Sequence, residues 1–112
     1  MTPKSVEPKH TKYFGIKVKS SGIYNFVGFG SDALTIYLLN EEEYYRYKFT
    51  NTVKLSNVIF KKELLEADEF IKSVELPSGI YHLMFVNKSE IKVFFGFEIR
   101  SKNYITYDAD WF

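Results

Sequence analysis

Ile91-Lys92-Val93-Phe94-Phe95-Gly96-Phe97-Glu98-Ile99-Arg100 is the stretch on which the fold turns. Ile91, Val93, Phe95, Phe97 and Ile99 fall on one side of an extended chain, and Lys92, Glu98 and Arg100 on the other. A period of two is what a strand with one buried face requires, because successive side chains point to opposite faces. Just upstream, Leu76-Pro77-Ser78-Gly79 puts Pro at the second and Gly at the last position of a type I turn. Residues 80–86 are apolar on both faces, the pattern of a central strand. Asn87-Lys88-Ser89-Glu90 then reads as a short hairpin connection.

Toward the N-terminus the same logic repeats. Phe14, Ile16 and Val18 alternate with Lys17 and Lys19 from Tyr13 onward. Residues 23–30 are apolar on both faces apart from Asn25, with Gly28 and Gly30 marking a bulge or a close backbone approach. Leu34, Ile36 and Leu38 share one face of a third strand over 33–39. Asn40 is expected to cap a short helix at 41–48, with Glu43 at N3 in a capping-box-like arrangement. Glu41, Glu42 and Glu43 suit the positive end of its dipole, and Tyr44, Tyr47 and Lys48 would line one side. Residues 50–74 carry two patterns. Phe60, Leu64, Ala67, Ile71 and Val74 recur at helical spacing, whereas Phe70, Lys72, Val74 and Leu76 fit a strand. The reading adopted is extended chain to Ile59, a helical or irregular stretch through Glu69, and a strand over 70–76.

A last short strand is expected at 104–107, followed by an acidic-aromatic tail at 108–112. Residues 1–12, polar and with prolines at 3 and 8, are expected to form a flexible arm. The folded domain would then be 13–107. Seven to eight short strands separated by turn signals predict an all-β chain, an antiparallel β-sandwich of 7–8 strands (jelly-roll-like) with one short helix near 41–48.

Composition narrows the rest. At 112 residues, one core is expected, burying roughly two-thirds of the surface that the unfolded chain exposes. Aromatic residues make up 19% of the chain, which favours both strands and interaction surfaces. Without cysteine there is no disulfide, thiolate metal site or cysteine nucleophile. A net charge of +1 offers no electrostatic footprint for nucleic acid. No apolar run reaches membrane-spanning length and residues 1–12 hold no signal-peptide core, so a soluble domain is expected, with no membrane insertion. It would be intracellular, or extracellular or on a virion surface as part of a longer chain. The absence of Gln and the wealth of Lys, Glu, Ile and Tyr fit a thermophilic source, as they fit AT-rich coding DNA.

The segment Val74-Glu75-Leu76-Pro77-Ser78-Gly79-Ile80-Tyr81-His82-Leu83-Met84-Phe85-Val86-Asn87 resembles small β-sandwiches of two kinds, the Golgi-dynamics (emp24-like) domains and the pre-peptidase C-terminal domains. Residues 36–47, a strand ending at a Tyr-rich helical turn, are similar to archaeal members. Together the likeness spans about half the chain. It implies a jelly-roll-like sandwich with an accessory or protein-interaction role, and it carries no binding residues across.

Reaction machinery is sparse. His10 lies in the arm, and His82 sits in a strand on the face of Ile80 and Met84, where a partly buried histidine with a satisfied hydrogen bond is expected. No Gly-x-Ser-x-Gly elbow positions a Ser-His-Asp triad. Gly28-Phe29-Gly30-Ser31-Asp32 lacks the Lys and the long helix of a phosphate cradle, so it reads as a turn. Glu41, Glu42 and Glu43 splay about 100° apart on a helix and cannot converge on one ion. Asp108 and Asp110 do not complete a calcium loop. No cofactor or metal is therefore expected. Asn87-Lys88-Ser89 is an N-glycosylation triplet on the expected hairpin tip.

Two binding readings remain. Tyr104, Tyr107, Trp111 and Phe112 are the candidate partner-binding residues. In the tail they either close the end of the sandwich or anchor a protein partner or a second copy. A non-catalytic structural or protein-interaction module follows, such as a virion or cell-surface component. The alternative is a carbohydrate-binding module stacking a glycan on exposed Tyr13, Tyr24, Tyr37, Tyr81 and Trp111. Three coplanar exposed aromatics would favour sugar; an apolar patch beside an unpaired strand edge would favour protein.

Overall fold

The computed structural model describes residues 3–108. These form nine strands: β1 (Lys4–Val6), β2 (Thr11–Val18), β3 (Gly22–Gly30), β4 (Leu34–Asn40), β5 (Phe60–Leu64), β6 (Asp68–Leu76), β7 (Gly79–Val86), β8 (Val93–Ile99) and β9 (Tyr104–Asp108). One helix, α1 (Glu41–Thr50), and a 3-10 turn (Leu55–Asn57) lie between β4 and β5. The strands build a four-stranded sheet of order β1-β8-β3-β6 and a five-stranded sheet of order β5-β4-β7-β2-β9.

The order has a simple origin. β1 pairs with β8, β2 with β7, β3 with β6 and β4 with β5, all antiparallel. The chain is thus one long ribbon folded back at α1, and the ribbon wraps so that its strand pairs fall alternately into the two sheets. That is the jelly-roll arrangement, with β9 added as an edge beside β2.

Between the sheets lies one core, to which Ile16, Phe26, Leu83, Phe85, Phe95 and Ile99 contribute. The Phe85 and Phe95 rings stack at 4.2 Å and bridge the two sheets, since β7 and β8 belong to opposite layers. Full burial of such a ring contributes about 1.5–3 kcal/mol. A second, smaller cluster lies on the outer side of the five-stranded sheet, where Tyr44 of α1 packs with Tyr37, Leu39 and Met84. Gly28 is required where β3 meets β6: a Cβ there would come 2.4 Å from the Phe70 ring and 2.6 Å from the Gly96 carbonyl.

Three expectations are corrected. Residues 4–6 are not an arm: they pair with β8, and Val6 is fully buried. Only Val6 in β1 is aliphatic, so the strand is created by the open edge of β8 rather than by its own pattern. Residues 60–64 form β5, where a helical or irregular stretch was expected. Phe60 and Leu64 are four apart, and four residues make both one helical turn and two strand repeats; pairing with β4 decides between them. Finally, 87–90 is not a hairpin, because β7 and β8 lie in different sheets. The total of nine strands exceeds the expected seven to eight through β1 and β5.

Candidate interaction surfaces

The expected partner-binding tail begins in β9, at the free edge of the five-stranded sheet. Tyr104 points inward, its ring edge-on to Tyr24 at 6.5 Å and its hydroxyl donating to the Ile99 carbonyl at 2.8 Å. Tyr107 points outward and lies across Gly15, whose missing Cβ would sit 2.1 Å from the tyrosine ring. It also meets His82 edge-on at 6.4 Å. Burial, then the nearby Glu41 carboxylate and Tyr45, push the Tyr107 phenol above its ordinary pKa. Tyr104 thus packs into the sandwich, whereas Tyr107 lies on the outer face of the five-stranded sheet and stays partly exposed. Trp111, Phe112 and Asp110 lie outside the described residues.

His82 is buried, as its strand position foretold, but the satisfied hydrogen bond is not there. Its Nδ1 has no hydrogen-bond partner among the described residues. The imidazole is stacked face to face on Tyr44 at 3.6 Å with an interplanar angle of 4°. Burial first, and the Lys48 ammonium second, lower its pKa from 6.5 to about 4. Only 2% exposed beneath α1, it is out of reach of a substrate.

Asn87 is not a glycan acceptor in the folded chain. Its amide nitrogen donates to the carbonyls of Val6, Glu7 and Ile91 at 3.1, 3.2 and 2.8 Å. The side chain is buried where the β7–β8 connection crosses from one sheet to the other. Asn40 caps α1 as expected, its Oδ1 accepting from the Glu43 N–H at 2.8 Å. Glu43 does not reach back to complete a capping box. Its carboxylate turns under the helix, accepting from the Lys54 N–H and the Asn57 amide and pairing with Arg46.

The aromatic strip expected of a sugar platform is not formed by the residues named for it. Tyr24, Tyr37 and Tyr81 are at most 8% exposed. Tyr13 is half-buried against Tyr44 and Tyr47, with the Lys48 ammonium 4.5 Å above its ring. Trp111 lies outside the described residues.

The outer face of the four-stranded sheet presents a different surface. Alternation sends Val27 and Phe29 of β3 outward, while Phe26 goes to the core. Ile71 of β6 stands directly opposite Val27, and Gly96 of β8 stands opposite Phe29. Phe94 follows diagonally, held where Ser31 exchanges two hydrogen bonds with its backbone at 2.8 and 2.9 Å. An apolar stripe results, with Ile71 79% and Phe94 50% exposed at its ends. α1 packs on β4 and β7 of the other sheet, so no helix lies over it. β6, at the end of the sheet order, leaves one backbone edge without a strand partner among the described residues. Glu69, opposite Phe29, makes the β6 side acidic, whereas the Lys92 ammonium stands 5.5 Å from the Phe94 ring.

A cleft of about 640 Å³ opens on the opposite side of the molecule, beside the C-terminus of α1. Lys9, His10, Lys61 and Lys88 surround it, with Tyr37 and Tyr47 in its wall. Among the described residues, no cluster of three or more histidine or acidic side chains could hold a metal ion, and no helix is long and apolar enough to cross a membrane. Neither the protein-family models nor the curated proteins contain a match to this chain. The likeness to emp24-like and pre-peptidase C-terminal domains thus rests on residues 36–47 and 74–87 alone.

Proposed function

We propose that this chain is a non-catalytic protein-interaction module that associates with a second copy of itself through the outer face of its four-stranded sheet. The observation that carries the reading is the stripe Ile71–Val27–Phe29–Phe94, exposed at Ile71 and Phe94, with Phe29 half-buried and Val27 buried between them, and bordered by the open edge of β6. Jelly rolls serve capsid and lectin domains alike, so the fold does not choose between protein and sugar. The surface favours protein, because Tyr24, Tyr37 and Tyr81 are buried while Ile71 and Phe94 stand exposed at the two ends of the stripe.

Size and charge argue for a second copy. Strands of three, seven, nine and nine residues, at about 4.8 Å spacing and about 3.4 Å rise, give a face of roughly 460 Å² before side-chain relief. This is a little over half of the ~800 Å² per partner of a standard interface, the size of a weak, concentration-dependent association. A two-fold axis across the stripe lays the Ile71 end of one copy on the Phe94 end of the other. Glu69 then faces Lys92 twice, which makes the patch self-complementary.

Light scattering after size exclusion tests this on the full chain. The expected result is a dimer, falling to monomer in Ile71→Lys and in Phe94→Lys while both variants keep the wild-type β-sheet circular dichroism. Removal of residues 109–112 should leave the dimer intact. A wild-type monomer at every concentration overturns the reading. Loss of the dimer on truncation alone moves the contact to the tail and its Trp111 and Phe112.

A further inference from the structure

We propose that the cleft beside the C-terminus of α1 is a binding site for a compact small-molecule anion, a carboxylate or phosphate head on a ring-sized body. The site is separate from the face assigned to self-association, since it opens on the helix side of the five-stranded sheet. Its volume of about 640 Å³ lies in the range of small-ligand pockets.

Charge selects the ligand class. Three lysines, Lys9, Lys61 and Lys88, line the cleft, and no acidic side chain does. Two of the lysines have carboxylate partners, but these are Glu90 and Glu63, whose side chains are 83% and 64% exposed at the rim. Exposed pairs of this kind are weak and exchange readily for a ligand anion. Lys88 has no ion pair among the described residues. Thr50 Oγ1 and the Asn51 N–H donate to the carbonyls of Arg46 and Tyr47, and the lysines offset what remains of the negative helix end for an incoming anion.

The walls select the body. Val53 and the half-buried ring of Tyr47 form an apolar side against which a ring can pack, backed by the buried Tyr37 and Val86. Among the described residues the Tyr47 hydroxyl makes no hydrogen bond, so it is open to a ligand. Lysines act as separate point charges rather than as the bidentate fork of arginine. One compact head reached from several sides suits them better than a polymer read in register.

The test is a nuclear magnetic resonance titration of the full chain with benzoate, phenyl phosphate, inorganic phosphate and the neutral benzyl alcohol. Benzoate or phenyl phosphate is expected to shift the amides of Thr11, Tyr37, Asn51 and Val86 saturably, and which of the two binds tighter identifies the head group. Lys61→Gln combined with Lys88→Gln should weaken binding about ten-fold or more, the loss of at least one charge-assisted contact. Lys17→Gln, on an exposed position outside the cleft, should leave it unchanged. The proposal is overturned if no shift saturates, if benzyl alcohol or inorganic phosphate binds as tightly as phenyl phosphate, or if Lys17→Gln weakens binding equally.

Discussion

At the scale of single residues, two buried polar side chains make opposite bargains. His82 keeps one nitrogen without a hydrogen-bond partner among the described residues, and its pKa of about 4 lies below the ordinary 6.5. Above pH 6.5 both folded and unfolded chains hold it neutral. As pH falls below that value the unfolded chain takes up a proton that the folded chain refuses, so stability declines toward pH 4 and the loss then levels off. The shift corresponds to at most about 3 kcal/mol. His82→Phe keeps a ring against Tyr44 and removes both the orphan nitrogen and the titration. Urea unfolding from pH 7 to pH 4 should show a shallower decline for this variant than for the wild type. Asn87 spends its whole amide on five hydrogen bonds, three donated and two accepted from Ser89. Asn87→Ala strands several of those groups and should cost about 2–4 kcal/mol in the same measurement.

At the scale of elements, the short strand at the N-terminus and the segment after α1 are held by contacts made far away in sequence. Val6 is fully buried beside Val93, its partner in the pairing of β1 with β8. Val6→Ala should therefore destabilise the chain by about 2 kcal/mol, whereas a mobile arm would show no change in denaturation midpoint. Glu43, 1% exposed, ties α1 to residues 54–57 through two acceptor bonds, while its pair with Arg46 stays within the helix. In Glu43→Ala, hydrogen exchange should accelerate over residues 51–59 and much less over β7. Equal acceleration in both would mean that the carboxylate supports the whole fold rather than this loop.

At the scale of the whole molecule, the two sheets have unequal outer faces. The five-stranded sheet carries α1, Tyr107 and the cleft, while the four-stranded sheet carries no helix and exposes Ile71 and Phe94. Association through the helix-free face links stability to concentration. Calorimetry should give a wild-type Tm that rises with protein concentration and an Ile71→Lys Tm that does not.

The alternation in 91–100, the turn at 76–79 and the Asn40 cap were legible because each depends on neighbours a few residues away. They settled an antiparallel sandwich and the position of its one helix. Pattern could not say which edge a strand would join, so β1 and β5 appeared only when β8 and β4 offered them hydrogen bonds. The surfaces were hidden for the same reason. Val27, Phe29, Ile71 and Phe94 come from three strands, and the cleft gathers Lys9, Lys61 and Lys88 from across the chain. Which aromatics are buried and which are exposed is set by sheet packing, and a composition rich in tyrosine and phenylalanine is the same either way. Sequence determined the periodicities and caps, which are local free energies; the tertiary structure decided edges, faces and cavities, which exist only once distant strands have paired.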